Sequence, residues 1–335
     1  MPSTSEIATD EQDLYDVLVV GGSHAGLSAA LTLYRALHRC VIFDSLAPRD
    51  SSGTNVHLTS GWDGSNPEKL KEAQRCELEA TGVIDFVSRA VVSAKKLPNG
   101  TFEVADENNV VWKGRRMLLA IGMQDVYPGI EGYAESYGTR IFNCMFCFGY
   151  EQRGSPSAGL LASGILANPM QAIINTKDAL KFVDHVTIYT DGNEELKEQL
   201  SDKLTEGMSI DSRKITSIHA SQEQTDVYLD FDDGNLQGLA FLVHKPDLTL
   251  TSSLVEDLGL ETLPGIGIKV SPPFSQTSVE GVFAAGDCCS PVRTIPNALS
   301  MGSSAGCGLA RQLPKSTWRR AGKANANGLN GGIVS

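Results

Sequence analysis

Positive charge is in short supply in this sequence. Lys and Arg number 28 against 40 Asp and Glu, a formal net charge of -12 at pH 7. Nucleic acids and anionic membranes recruit Lys/Arg-rich surfaces, so neither is expected as a partner. Long apolar runs are missing too, and no stretch approaches the roughly 18 residues a membrane span needs. The opening segment, Met1 to Asp13, has neither the apolar core of a secretory signal nor the arginines of a transit peptide. A cytoplasmic protein is therefore expected. Gly322 to Ser335, rich in Gly, Asn and Ala, carries no lipidation or peroxisomal signal and reads as a flexible tail.

Cysteine pairing is incomplete as well, because seven is an odd number. That fits a reducing compartment with one working pair better than a secreted disulfide framework. No second Cys-x-x-Cys and no His-x-x-x-His accompanies Cys144-Met145-Phe146-Cys147, so a four-ligand zinc site is not expected, nor any other metal. Cys288-Cys289 are adjacent, a poor ligand geometry, and Cys40, Cys76 and Cys307 read as small core residues.

The chain does have length, 335 residues, enough for two α/β domains with cores of their own. Residues 16–20 form a short aliphatic run that reads as a buried parallel strand. The turn Gly21-Gly22-Ser23-His24-Ala25-Gly26 follows, then a helix over 27–37, then a strand over 40–43 that ends at Asp44. Glycines let a backbone approach a pyrophosphate, a helix N-terminus stabilises its charge, and an acid after the second strand can bind a ribose hydroxyl. Ser23 stands where the middle glycine of such turns usually lies. Beyond a helix over 67–80, residues 86–88 with 90–92 read as a strand. A hairpin over 101–104 and 110–112 follows, with a further strand over 116–121 that stops at Gly122.

A second strand-turn-helix-strand unit runs from Ala158 to Tyr189, and here the gripping residues are absent. Ala162 holds the first glycine position, bulky Ile165 and Leu166 follow Gly164, and no Arg or Lys stands near Asp191, Glu194 and Glu195 to hold a 2′-phosphate. The unit has the outline of a nicotinamide domain without its contacts, so a structural role is expected of it. The chain begins its return to the first domain near Val243. An apolar strand, Val282 to Ala285, ends in Gly286-Asp287, and a helix begins near Asn297-Ala298.

The Gly21 turn, the cysteine pair and the Val282 to Asp287 segment, in that order, resemble the low-molecular-weight thioredoxin reductases. The match runs from Asp16 to about Arg311. The resemblance implies an α/β protein of two Rossmann-like, three-layer domains of the pyridine nucleotide-disulfide oxidoreductase type, with a discontinuous FAD domain. The boundaries expected are 1–125 and 244–320 for the FAD domain, 126–243 for the second domain, and 321–335 for the tail. FAD would be held by Gly21, Gly22, Ser23, His24, Ala25, Gly26, Asp44, Gly122, Gly286 and Asp287, with Asn297 and Ala298 offering backbone to the flavin ring. Family members are usually homodimers, and that is implied here too.

Within the family the chain looks most like the fungal flavoprotein dithiol oxidases of the gliotoxin type. The grounds are Gly149-Tyr150-Glu151 after the cysteines, Gly61-Trp62-Asp63 before Pro67, and the missing nicotinamide motifs. The resemblance implies a small dithiol substrate, O2 as acceptor and hydrogen peroxide as by-product. It makes Cys144 the sulfur that substrate attacks and Cys147 the one against the flavin. In those oxidases a His normally follows the second cysteine. Here it is Phe148, which cannot carry a proton, so His24, Glu151 and His57 are the candidates for acid/base work. A thioredoxin reductase-like enzyme with another electron donor and a non-catalytic flavin-binding sensor are the alternatives.

Overall fold

The computed structural model describes residues 14–47, 49, 55–220 and 226–315, so the expected tail at 321–335 lies outside them. The chain divides into two compact units, Met1–Pro48 with Lys71–Met123 and Leu250–Ser335, and Arg49–Leu70 with Gln124–Thr249. Two boundaries differ from the sequence reading. Residues 49–70 belong with the second unit, where Arg49 pairs with Asp125 at 3.3 Å and His57 faces Glu151. The return comes at Leu250 rather than 244, because Asp247–Thr249 pairs antiparallel with Gln124–Val126. Both differences arise from long-range pairing that no local pattern shows.

In the first unit, strands β1 (Leu14–Val20), β2 (Cys40–Phe43), β3 (Ile84–Val87), β4 (Val91–Lys96), β5 (Phe102–Asp106) and β6 (Val111–Leu119) form a sheet in the order β3-β2-β1-β6-β5-β4. The first four of that order run parallel, and β4 and β5 are antiparallel additions. The two separate strands expected over 110–112 and 116–121 are one strand, β6. The charged residues Lys113, Arg115 and Arg116 interrupt the apolar pattern but not the backbone pairing. Along its edge away from β1, β6 pairs first with β5 and then with the short strand Val282–Ala284. Gly114 makes room for a neighbour on β1, since a Cβ there would lie 2.6 Å from Leu18 Cγ.

Side-chain alternation splits the core of this unit between the two sheet faces. Val17, Val19, Cys40 and Ile42 face the helix α1 (His24–Arg35) and the final helix, Ile295–Gln312. Leu18, Val20, Val41 and Phe43 face the β4–β5 arm and Leu254, Leu258 and Leu260. The two helices approach closely through glycine: a Cβ on Gly302 would overlap the Ala25 carbonyl, and Ser28 Oγ donates to Leu299 O at 2.8 Å.

The second unit repeats the plan. Five parallel strands run in the order Met208–Asp211, Val183–Tyr189, Ser155–Leu161, Leu242–Val243, Ile141–Phe142. One face, with Leu160, Val186 and Ile188, packs on the helices Pro169–Ala179 and Glu194–Ser201. The other, with Leu161, Tyr189 and Leu242, meets an antiparallel meander of Ile215–Ala220, Val227–Phe231 and Leu236–Leu239. No helix among the described residues is long and apolar enough to cross a membrane.

Candidate functional site

Cys144 and Cys147 form a disulfide with their Cα atoms 5.3 Å apart. Cys144 has extended backbone and precedes the one-turn helix Met145–Phe148, which is what brings a sulfur three residues on within bonding reach. Its Sγ accepts the Cys147 N–H at 3.2 Å and its carbonyl accepts the Phe148 N–H at 3.1 Å, so Cys144 caps the turn that follows it. Both cysteines are half-buried, while Phe146 between them is 65% exposed. Phe148 turns inward and stacks on Phe142, with ring centroids 5.2 Å apart.

Two of the three acid/base candidates meet beside this motif. His57 presents its ring edge to Phe148, at 6.5 Å between centroids. Its Nδ1 lies 3.3 Å from Asp63 Oδ1, and its Nε2 lies 3.8 Å from Glu151 Oε1. Glu151 stands in the 3-10 turn Tyr150–Gln152 that continues the cysteine helix. The third candidate, His24, belongs to the first unit, where it is buried and its Nδ1 lies 2.9 Å from Gln74 Oε1. Asp63 as the partner of His57 is not evident from sequence; the only signal is a carboxylate six residues on in a Gly-rich loop.

The nucleotide turn of the first unit fits the pyrophosphate and ribose of FAD. Gly21 has φ +117°, and Cβ atoms on Gly21, Gly22 and Gly26 would overlap Ala120 O, the Asp44 side chain and Gly21 O respectively. Ser23 precedes α1 with extended backbone and makes no side-chain cap, so the helix N-terminus is left for an anion. Ala25 is buried just inside it. Asp44 is buried at the end of β2, and its Oδ2 accepts no hydrogen bond although Lys71 Nζ lies 3.1 Å away. A ribose hydroxyl would satisfy that atom. Lys71 and Arg75, the latter 3.8 Å from Oδ2, were missed from sequence; their i,i+4 spacing on the helix Pro67–Glu79 was the available signal.

Further along, Gly122 and Gly286 take φ of +66° and +83°, where Asp287 follows half-buried. Asn297 and Ala298 differ from expectation. The Ala298 N–H bonds to Thr294 O at 3.0 Å and the Asn297 N–H to Thr294 Oγ1 at 3.4 Å, so both amides are engaged within the helix start. The Asn297 side chain instead ties down Val292 O at 2.6 Å and Ser290 Oγ at 3.1 Å.

The matching turn of the second unit is closed. Asn168 Oδ1 accepts the N–H groups of Met170 and Gln171 at 3.0 and 3.2 Å, and Pro169 removes a further donor. Leu166 is buried there as expected, but Ile165 is 55% exposed and does not crowd the turn. His244 sits behind it, with Nε2 2.9 Å from Ser163 Oγ and Nδ1 2.6 Å from Tyr133 Oη. No Arg or Lys adjoins Asp191 along the chain, yet the fold brings two to its neighbourhood. Lys214 pairs with Asp191 at 2.7 Å, and Arg213 pairs with Asp233 at 3.2 Å and with Asp211. Each is neutralised by its own carboxylate, as Lys197 is by Glu194 at 2.9 Å.

Of the remaining cysteines, Cys40, Cys288 and Cys289 are buried, whereas Cys76 and Cys307 are exposed rather than core. Each lies on the outward side of an amphipathic helix. No group of three metal-ligating side chains comes together among the described residues.

A family model, pyridine nucleotide-disulphide oxidoreductase, matches residues 15–302. The thioredoxin reductase aclD of Aspergillus oryzae is 39% identical over 306 residues, covering 90% of this chain and 96% of that protein. The thioredoxin reductase sirT of Leptosphaeria maculans is 37% identical over 305 residues, covering 88% and 93%. Among solved structures, an oxidoreductase from Agrobacterium tumefaciens superposes with a TM-score of 0.77 at 29% identity, over 89% of this chain and 98% of that one. With its open glycine turn and its cysteine disulfide, the chain belongs to the pyridine nucleotide-disulphide oxidoreductase family, as an FAD-binding, thioredoxin reductase-like redox enzyme of thiols and disulfides.

Proposed function

We propose that the protein is an FAD-dependent dithiol oxidase. It would close a disulfide in a small sulfur-containing molecule and pass the electrons to O2, working as a homodimer in the cytoplasm. The observation that carries this reading is the contrast between the two turns. The first leaves a helix N-terminus without a side-chain cap, and the second fills its own with Asn168 and Pro169. NADPH needs the second turn open and a free cation for its 2′-phosphate, and Arg213 and Lys214 are both held by carboxylates.

The residues of the second unit supply the exchange chemistry. A substrate thiolate attacks Cys144 Sγ, and the Cys144–Cys147 bond breaks with its electron pair on Cys147. The second substrate thiolate attacks the substrate sulfur of this mixed disulfide and expels Cys144. The product disulfide leaves, and the cysteines hold the two electrons. FAD supplies the route from Cys147 to oxygen. The net change is one dithiol and one O2 to one disulfide and one H2O2. The names of the relatives favour a second reading, a thioredoxin reductase.

Anaerobic mixing separates the two. A small dithiol should bleach the flavin absorbance, NADPH should leave it unchanged, and air should restore the colour with peroxide formed. Rapid bleaching by micromolar NADPH would move the protein to the reductases.

A further inference from the structure

We infer that His57 is the proton acceptor for thiol–disulfide exchange at Cys144–Cys147, oriented by Asp63 and drained by Glu151; this rests on the dithiol reading above. Phe148, next to the second cysteine, has no proton to give or take, so the proton of an attacking thiol needs another destination. The chain holds His57 beside that ring by a closed loop. Val56 N–H donates to Ser65 O at 2.8 Å and Gly64 N–H to Val56 O at 2.7 Å, while Val56 itself is 1% exposed. The His57 side chain is 11% exposed, and Phe148, against which it rests, is stacked on Phe142.

Polarity then assigns the two ring nitrogens. A carboxylate only accepts, so Nδ1, 3.3 Å from Asp63 Oδ1, is the nitrogen placed to donate, and Nε2, 3.8 Å from Glu151 Oε1 and beyond hydrogen-bond reach of it, is the one placed to take up a proton. Asp63 is itself fixed, since Oδ1 also accepts the Leu58 N–H at 3.1 Å. The charged groups that face the ring are Asp63 and Glu151. As the substrate S–H bond breaks, the proton goes to Nε2 and the electron pair stays on sulfur, which attacks Cys144. Protonated Nε2 then faces Glu151 Oε1, 3.8 Å away on a side chain 43% exposed, through which the proton reaches solvent.

The test is anaerobic stopped-flow mixing of the holoenzyme with dithiothreitol. Loss of the Cys144–Cys147 disulfide is followed by alkylation and mass spectrometry beside the flavin absorbance. His57→Gln should slow both signals about 10²-fold at neutral pH. The deficit should shrink as pH rises and the probe ionises unaided. His57→Ala should be partly rescued by added imidazole, which a merely structural histidine would not show. Rates within threefold of the parent at every pH, with no imidazole effect, would overturn the assignment. If the His57 variants lose FAD or melt early, Glu151→Gln carries the test: slowing of roughly tenfold supports the relay and an unchanged rate removes it. Failure of the parent enzyme to react with any dithiol would instead sink the oxidase reading, and is visible separately.

Discussion

Between Tyr133 and Ser163, His244 makes two hydrogen bonds through one buried imidazole. Both partners are hydroxyls, which can donate or accept, so either form of the ring can keep the two bonds and it is burial that disfavours the charged one. Burial lowers its pKa from 6.5 to about 4, against a smaller opposing effect of the Ser163 backbone. The unfolded chain takes up a proton near 6.5 and the folded one does not until about 4, so the stability is complete above pH 6.5 and is lost as pH falls through that window. The full swing is on the order of 3 kcal/mol. Urea unfolding at a series of pH values should show this decline in the parent and a shallower one in His244→Gln; equal slopes would contradict it. The residues of the candidate site were unevenly legible in sequence. Cys144, Cys147, Gly21 and Asp44 announce themselves by spacing. His57 and Glu151 stand out as residue types, but their meeting, and the link His244 makes between Tyr133 and Ser163, do not, because these partners lie 81 or more residues apart or are brought together by a folded loop.

At the level of elements, the two nucleotide-type turns differ in what their helices do with their first amides. One helix leaves them without a side-chain cap after Ser23, and the other spends them on Asn168. The fold class and most strands follow from short aliphatic runs, since a strand buried on both faces has few alternatives. What sequence hid were joins: β6 reads as two strands because charge interrupts it, and residues 49–70 leave no local sign of which sheet they accompany. Glycine sets the closest approach of elements. Gly302 stands where any Cβ would overlap the Ala25 carbonyl, so Gly302→Val must push the final helix off α1. Overpacking of this kind costs roughly 1–3 kcal/mol, and α1 begins at the turn that fits the pyrophosphate. The variant should melt earlier and lose flavin on gel filtration; unchanged melting and an unchanged flavin-to-protein absorbance ratio would show that the contact is slack.

Over the whole molecule, each unit has its own sheet, its own pair of core faces and its own sensitivity. The first carries a buried Asp44 oxygen that accepts no hydrogen bond and the uncapped helix start, so FAD should stabilise it by mass action, about 2.7 kcal/mol when free FAD is a hundredfold above its dissociation constant. The second carries His244 at 2% exposure, so acid should loosen it. Hydrogen exchange followed by mass spectrometry can read both in one sample. Adding FAD to the stripped protein should slow exchange in Leu14–Val20 and Cys40–Phe43 and leave Ser155–Leu161 and Val183–Tyr189 little changed. Lowering the pH from 7 to 5, after correction for the intrinsic exchange rate, should do the reverse. Protection that rises equally in both sheets when FAD is added would mean that the units open as one cooperative body, and that the pH sensitivity of the second is a property of the first as well.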